Sequence, residues 1–191
     1  MGFGLILPGL LSLLMFRLVP IELFGFAAAY KGLDKLSVYG ADFVRARYAC
    51  AAVIVFSFAD TVLWICKVFG ALEVGDTVNE VLNIIHTVLV SAFLVLLSLA
   101  LRSVAKSCGY TKGEKRAVFG IVFCAVYCVS LIIGAVFPPA SAVAMLFSIL
   151  LYIYYAFAVY GFYMMIVTDD IIEKEQIAIE VFDKRFGRKK K

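Results

Sequence analysis

Charged residues are scarce in this sequence: 17% of its 191 residues are charged, while 64% are hydrophobic. Ordinary soluble domains carry about 25% charged and about 45–50% apolar residues. The hydrophobic residues stand in long unbroken runs instead of amphipathic stripes, which excludes a soluble fold. No basic segment precedes the first apolar run, so the sequence does not indicate a cleaved secretory signal.

Residues that build chemical sites are also few. His86 is the only histidine, and one histidine alone builds neither a zinc nor a haem site. The five cysteines, an odd number, predict no disulfide framework, and we interpret them as small apolar side chains. Cys124 and Cys128 stand one helical turn apart, a spacing that suits a soft metal, but packing is the favoured interpretation. We find no glycine-rich phosphate loop, nucleophile elbow or HExxH motif. The sequence therefore assigns no catalytic residue, cofactor or metal site.

The apolar runs form five segments of membrane length. About 20 apolar residues cross the roughly 30 Å of bilayer hydrocarbon. The sequence predicts an all-α integral membrane protein, a five-helix transmembrane bundle formed by residues 1–168. A short cytoplasmic amphipathic helix with a polybasic tail follows in residues 169–191. The predicted membrane helices are at about 4–30, 48–70, 80–101, 117–137 and 142–168.

The basic residues predict the orientation of this bundle. All 18 Lys and Arg residues except Arg17 and Lys67 lie in the connections 31–47 and 102–116 or in the tail. Short basic loops stay in the cytoplasm. The pattern predicts an N-terminus outside and a C-terminus inside. It also accounts for the net charge of +4 without nucleic acid as a partner.

The first apolar segment carries Arg17, Pro20 and Glu22 near its middle. A charged group at bilayer depth costs about 2.5–3.5 kcal/mol on insertion scales. We therefore expect this segment inside the bundle, where other helices supply polar partners. Pro20 and Glu22 mark a candidate helix break, because proline removes one backbone hydrogen bond. Whether residues 4–30 form one kinked helix or two half-helices stays open.

Depth estimates place polar residues of three segments in one layer. With about 1.5 Å of rise per residue, Arg17, Asp60 and His86 each lie roughly 20–24 Å from the inner end of their segments. We predict that Arg17 pairs with Asp60, and that His86 with Asn83 or Tyr155 completes the hydrogen bonds. This layer either lines a small polar cavity that opens outward or only fixes the register of the helices.

The region after Thr168 is polar and amphipathic. Asp169, Asp170 and Glu173 resemble the acidic magnesium motif of prenyl-diphosphate enzymes, but no second acidic cluster accompanies them, so we favour a turn that caps the helix dipole. A polybasic end is typical of segments that bind anionic lipid. The predicted lipid contacts are Lys184, Arg185, Arg188, Lys189, Lys190 and Lys191.

One stretch resembles a known group of proteins. VPIELFGFAAAYKGLDKLS, residues 19–37, is followed by DFVRAR, residues 42–47. This pattern of proline, acid, Gly-aromatic pair, GLxKLS and F-x-x-A-R is similar to the N-terminal part of small multi-pass membrane proteins of Gram-positive bacteria. The resemblance covers about residues 18–47. It implies a bacterial inner-membrane location and no particular activity.

Three functions remain open from the sequence. The first is a non-enzymatic accessory, sensing or assembly subunit, with membrane lipids and another membrane protein subunit as partners. The second is a small-solute transporter or a membrane-embedded substrate-capture subunit. Capture subunits of vitamin transporters usually have six helices, and the five predicted here count against that function. The third is a lipid-processing enzyme that uses the inner-face acids. The sequence names no ligand.

Overall fold

The structure, a computed structural model, describes residues 2–15, 19–70 and 75–186. Within these ranges the chain forms helices joined by short turns, and no strand. Short 3₁₀ turns follow the first two helices and precede the last. The helices, numbered in chain order, are α1 (Phe3–Ser12), α2 (Val19–Leu36), α3 (Ala41–Val68), α4 (Asp76–Ser107), α5 (Thr111–Val136) and α6 (Ser141–Phe186).

Four helices in the described ranges are long and apolar enough to cross a membrane. Their candidate spans are Ala41–Val68, Val78–Ser107, Thr111–Gly134 and Ser141–Met165. A helix of 24 to 30 residues rises about 36–45 Å, which exceeds the roughly 30 Å of bilayer hydrocarbon. The prediction of an all-helical membrane bundle is confirmed at this level. The predicted segments at 48–70, 80–101, 117–137 and 142–168 each fall on one of these helices.

In the region of the predicted first membrane helix, 4–30, the described residues form two shorter helices, α1 and α2. Two half-helices are one of the two arrangements that the sequence leaves open, and a fifth membrane span stays a prediction. α1 has ten residues and rises about 15 Å, too little to cross a bilayer. α2 has the length but carries Glu22, Lys31, Asp34 and Lys35, so it is not among the candidate spans. α2 begins at Val19, directly before Pro20, where a missing N–H costs no helical hydrogen bond.

Small residues hold α1 and α2 together as an antiparallel hairpin. A Cβ added to Gly2 would lie 2.5 Å from the carbonyl oxygen of Gly32. A Cβ added to Gly9 would lie 2.7 Å from the Cβ of Ala29 and 2.9 Å from the carbonyl oxygen of Gly25. Residues later in α1 therefore contact residues earlier in α2, so the two helices run antiparallel. Backbones this close require small side chains between them.

The hairpin begins and ends at the same end of the bundle. The ring of Phe3 packs against Phe43 at the start of α3 and against Phe162 of α6, with ring centroids 6.1 Å apart in both contacts. Phe162 also packs against Tyr110, in the turn between α4 and α5. Phe3 thus lies beside both basic connections. The sequence predicts an N-terminus on the opposite side from these connections. In the structure the described start of the chain lies at their end of the bundle, because the hairpin returns to the end where it starts. The side of a membrane that this end faces stays a prediction.

α4 is the central helix of the bundle. In the most apolar 18-residue stretch of α4, 44% of the residues are buried, against 17–28% in the corresponding stretches of the other candidate spans. The ring of Phe93 on α4 meets the ring of Phe26 on α2 edge to face at 5.6 Å. The cysteines are free thiols, and Cys50 and Cys124 are buried in this core. The hairpin therefore packs into the bundle instead of lying on its surface.

α6 continues as one helix through the predicted boundary at residue 168. Its 46 residues rise about 69 Å, more than twice the hydrocarbon thickness. The side chains of residues 166–186 are not among those described, and residues 187–191 lie outside the described ranges. The predicted lipid contacts of the tail and the predicted acidic motif at Asp169 therefore stay predictions.

Candidate functional site

A buried carboxyl and imidazole join α2 to α4. The Oε1 atom of Glu22 lies 2.5 Å from the Nε2 atom of His86. The hydroxyl of Ser57, on α3, donates a weaker hydrogen bond of 3.4 Å to the same carboxyl oxygen. Glu22 and His86 are only 6% and 9% exposed. Three helices far apart in sequence thus converge on one carboxyl group.

The hairpin carries Glu22 to this depth. Glu22 lies in the first turn of α2, where the partial positive charge of the helix N-terminus favours an acidic side chain. From Glu22 to Leu36, at the basic end of the bundle, α2 rises roughly 21 Å. From Asp76 to His86, α4 descends roughly 15 Å from the opposite end. The two side chains therefore meet well inside the bundle, away from both of its ends.

A cavity of about 250 Å³ borders this pair. Leu13 and Leu14, which follow α1, form part of its apolar wall. The remaining wall comes from three helices, α2, α4 and α6, and includes the apolar side chain of Ile149. Its polar side chains are Glu22, Asn83, His86, Thr87, Ser148 and Tyr152.

A second set of hydroxyl groups extends the polar wall toward α5. The phenol of Tyr152 interacts with the phenol of Tyr127, and Tyr127 interacts in turn with the hydroxyl of Thr87. Tyr127 is buried, whereas Tyr152 is partly exposed to the cavity. The cavity thus offers both donors and acceptors of hydrogen bonds to a bound molecule.

The structure places two members of the predicted polar layer at this cavity, His86 and Asn83. Asp60 lies one helical turn beyond Ser57 on α3, is half-buried, and makes no hydrogen bond or ion pair within the described ranges. Arg17 lies outside the described residues, so the predicted pairing of Arg17 with Asp60 stays a prediction. The partner that the structure gives His86 is Glu22.

Tyr155 lies away from this layer. Its hydroxyl makes a 2.7 Å hydrogen bond with the hydroxyl of Ser98. Along α4, Ser98 is roughly 18 Å from His86. The side chain of Tyr155 is therefore buried in the inner half of the bundle, not at the cavity.

Sequence reasoning treated Glu22 as part of a helix break and missed it as the partner of His86. It also gave no role to Ser148 or Tyr152. One signal was present: an acid inside one apolar segment and the lone histidine inside another, since a buried charge requires a partner. No sequence pattern indicated the antiparallel hairpin of α1 and α2, which determines how deep in the bundle Glu22 lies.

Within the described ranges, no three His, Cys, Asp or Glu side chains come together as a metal site. No family model, curated protein or solved structure matches this chain.

Proposed function

We propose that this protein is a membrane-embedded carrier or substrate-capture subunit, which binds a small molecule in the cavity beside Glu22 and His86. The cavity itself is the observation that carries this proposal. A polar pair that only fixed helix register needs no recess beside it, whereas a binding site needs a recess on which a few polar groups converge. Here the pair borders about 250 Å³ of space with further polar groups around it.

The size of the cavity selects the class of molecule. Pockets for drug-sized ligands occupy about 300–1,000 Å³, so the space beside Glu22 suits a small molecule or a single head group. Its donors and acceptors suit hydroxyl, amide or similar polar groups. Ionisable residues at membrane depth commonly mark the path of a substrate or ion.

The hairpin supports a carrier over an accessory subunit. Carriers often bind substrate where interrupted helices end near the middle of the membrane. α2 begins in this way beside the cavity, with Glu22 in its first turn. An accessory or assembly subunit would need the Glu22–His86 pair but not the space beside it. The protein would act in the inner cell membrane, with the basic connections in the cytoplasm.

Two matched serines provide the test. Ser148 and Ser130 each donate a hydrogen bond to the carbonyl three residues earlier in the same helix, at 2.6 and 2.7 Å. Only Ser148 lines the cavity. Wild type, Ser148→Leu and Ser130→Leu would be purified from native membranes, and the small molecules that they release would be quantified by mass spectrometry.

The expected result is one small molecule in wild type and in Ser130→Leu, and at least about tenfold less of it in Ser148→Leu, a loss of about 1.4 kcal/mol in binding. No bound small molecule in wild type, or equal amounts in both variants, would contradict the proposed function. A stoichiometric protein partner without a small molecule would favour the accessory subunit instead.

A further inference from the structure

An apolar groove of about 580 Å³ lies beside the polar cavity, between α4 and α5. Ile84 and Val88 of α4 form one wall, and Leu131 and Ile132 of α5 form the other. The groove is more than twice as large as the cavity and is lined mainly by hydrocarbon. It is therefore suited to an apolar group and not to a hydrated solute.

The groove and the cavity adjoin each other on α4. Asn83 and Thr87 line both spaces, so the two are separated by no more than one layer of side chains. They also lie at one depth: Asn83 is roughly 10 Å from the start of α4, and Ile132 is roughly 6 Å from the end of α5. Both distances fall in the half of the bundle opposite the basic connections.

The groove opens toward lipid. Ile84, Val88 and Ile132 are 63%, 61% and 66% exposed, and they belong to two helices that can span the membrane. Apolar side chains at this depth face hydrocarbon and not water. A molecule in the groove therefore comes from the bilayer.

The charges in the cavity indicate an uncharged head group. Among the described residues that line the two spaces, Glu22 is the only acid and His86 the only base. The lining therefore offers one acidic and one basic side chain, with no excess of either. A net charge on the ligand at this depth would cost about 2.5–3.5 kcal/mol, which favours an uncharged ligand.

We infer that the bound molecule is a neutral amphiphile that enters sideways from the outer half of the bilayer. Its hydroxyl-bearing head occupies the cavity beside Glu22 and His86, and its apolar part lies in the groove between α4 and α5. This inference rests on the proposed binding function and specifies its substrate class.

The test uses a ten-carbon alkanol with a photoreactive diazirine in its chain. Wild type, Val88→Phe and Val55→Phe would be incorporated into lipid nanodiscs, labelled over a range of probe concentrations, and mapped by mass spectrometry. Val88 lines the groove, whereas Val55 is 70% exposed on α3 and lines no described cavity. Ile132→Phe would fill the groove from its other wall if Val88→Phe fails to fold.

In wild type and in Val55→Phe, we expect saturable labelling of residues 84–91 and 128–132, which excess unlabelled 1-decanol displaces. Val88→Phe should reduce that labelling at least about fivefold, the effect of roughly 1 kcal/mol. Labelling of the lipid-facing side of α3 should rise linearly with probe concentration in all variants.

Linear labelling of the groove would overturn the amphiphile inference. The two proposals fail separately. A small molecule that Ser148→Leu loses, but that Val88→Phe and Val55→Phe retain equally, would come from water: the binding function would stand and the lateral route would fall. If Ser148→Leu loses no bound molecule, the binding function itself fails.

Discussion

Two polar pairs are buried in this bundle at different depths, and their surroundings differ. Ser98 and Tyr155, which we call the inner pair, lie in the half of the bundle that has the basic connections; each is 1% exposed, and they share a 2.7 Å hydrogen bond. Gly120 packs against them so closely that an added Cβ would lie 3.0 Å and 3.2 Å from their hydroxyl oxygens. Glu22 and His86, the outer pair, lie in the opposite half and are nearly as buried, but they border a cavity.

These different surroundings indicate that one pair is a structural contact and the other is part of a candidate site. The inner pair is neutral, comes from two candidate membrane-spanning helices, and has Gly120 packed against it. The outer pair is ionisable, and its formation requires the hairpin to pack into the bundle. Burial of ionisable groups is costly unless both partners stay paired. We interpret the inner pair as packing and the outer pair as the functional part.

Breaking the outer pair should have the largest effect. Removing one partner of a buried ion pair typically costs about 3–5 kcal/mol, while replacing both partners can be nearly neutral. Glu22→Leu and His86→Leu should each lower the free energy of unfolding by that amount, and the double variant should recover most of the loss. Unfolding in mixed micelles would measure this. Additive losses in the double variant would show that the two residues do not interact.

The hairpin can be loosened separately. In Gly9→Val, the new Cβ would lie 2.7 Å from the Cβ of Ala29, closer than side chains can pack. Such overpacking typically costs about 1–3 kcal/mol. The same unfolding assay should show this loss, together with loss of the small molecule that copurifies with wild type. Gly75→Ala is the control, because no atom lies within 4 Å of its added Cβ. Equal stability of the two variants would contradict the close packing of α1 on α2.

Removing the inner hydrogen bond should have the smallest effect. Tyr155→Phe deletes one buried hydrogen bond, a loss of about 0.5–1.5 kcal/mol. Ser98 can then bond a carbonyl of its own helix, which reduces the loss. Tyr160→Phe, at a tyrosine that is 47% exposed, should change stability by less than about 0.5 kcal/mol. Tyr155→Phe should also leave the amount of bound small molecule unchanged; its loss would make the inner pair part of the site.

Hydropathy predicts four helices of this bundle well, because a membrane span needs only a long apolar run. The same signal does not distinguish one span from two shorter helices in residues 4–30, whose apolar run is long enough for a span despite Arg17 and Glu22. What makes this segment a hairpin is tertiary contact: Gly9 against Gly25 and Ala29. The sequence does mark Gly25 and Ala29 as a small-residue pair, but such pairs are common in membrane helices and name no partner.

The sequence predicts a buried polar layer, but not all of the residues that form the candidate site. Depth along α4 places His86 and Asn83 in a polar layer, and both line the cavity. Glu22 reaches His86 only because α2 returns toward the basic end, which no local pattern indicates. Tyr155 needs a hydroxyl partner when buried, yet its sequence does not reveal that the partner is Ser98.

We predict that α1 and α2 enter and leave the membrane on one side, carrying Glu22 to His86. The test places a cysteine in a short extension before Met1, in a background of Cys66→Ser and Cys108→Ser, and labels intact cells with a membrane-impermeant thiol reagent. Two reference variants of this background mark the ends of the bundle: one keeps Cys108, at the basic end, and the other carries Phe69→Cys, at a side chain 82% exposed at the opposite end. We expect the extension to be labelled as Cys108 is; labelling like that of Phe69→Cys would contradict this prediction.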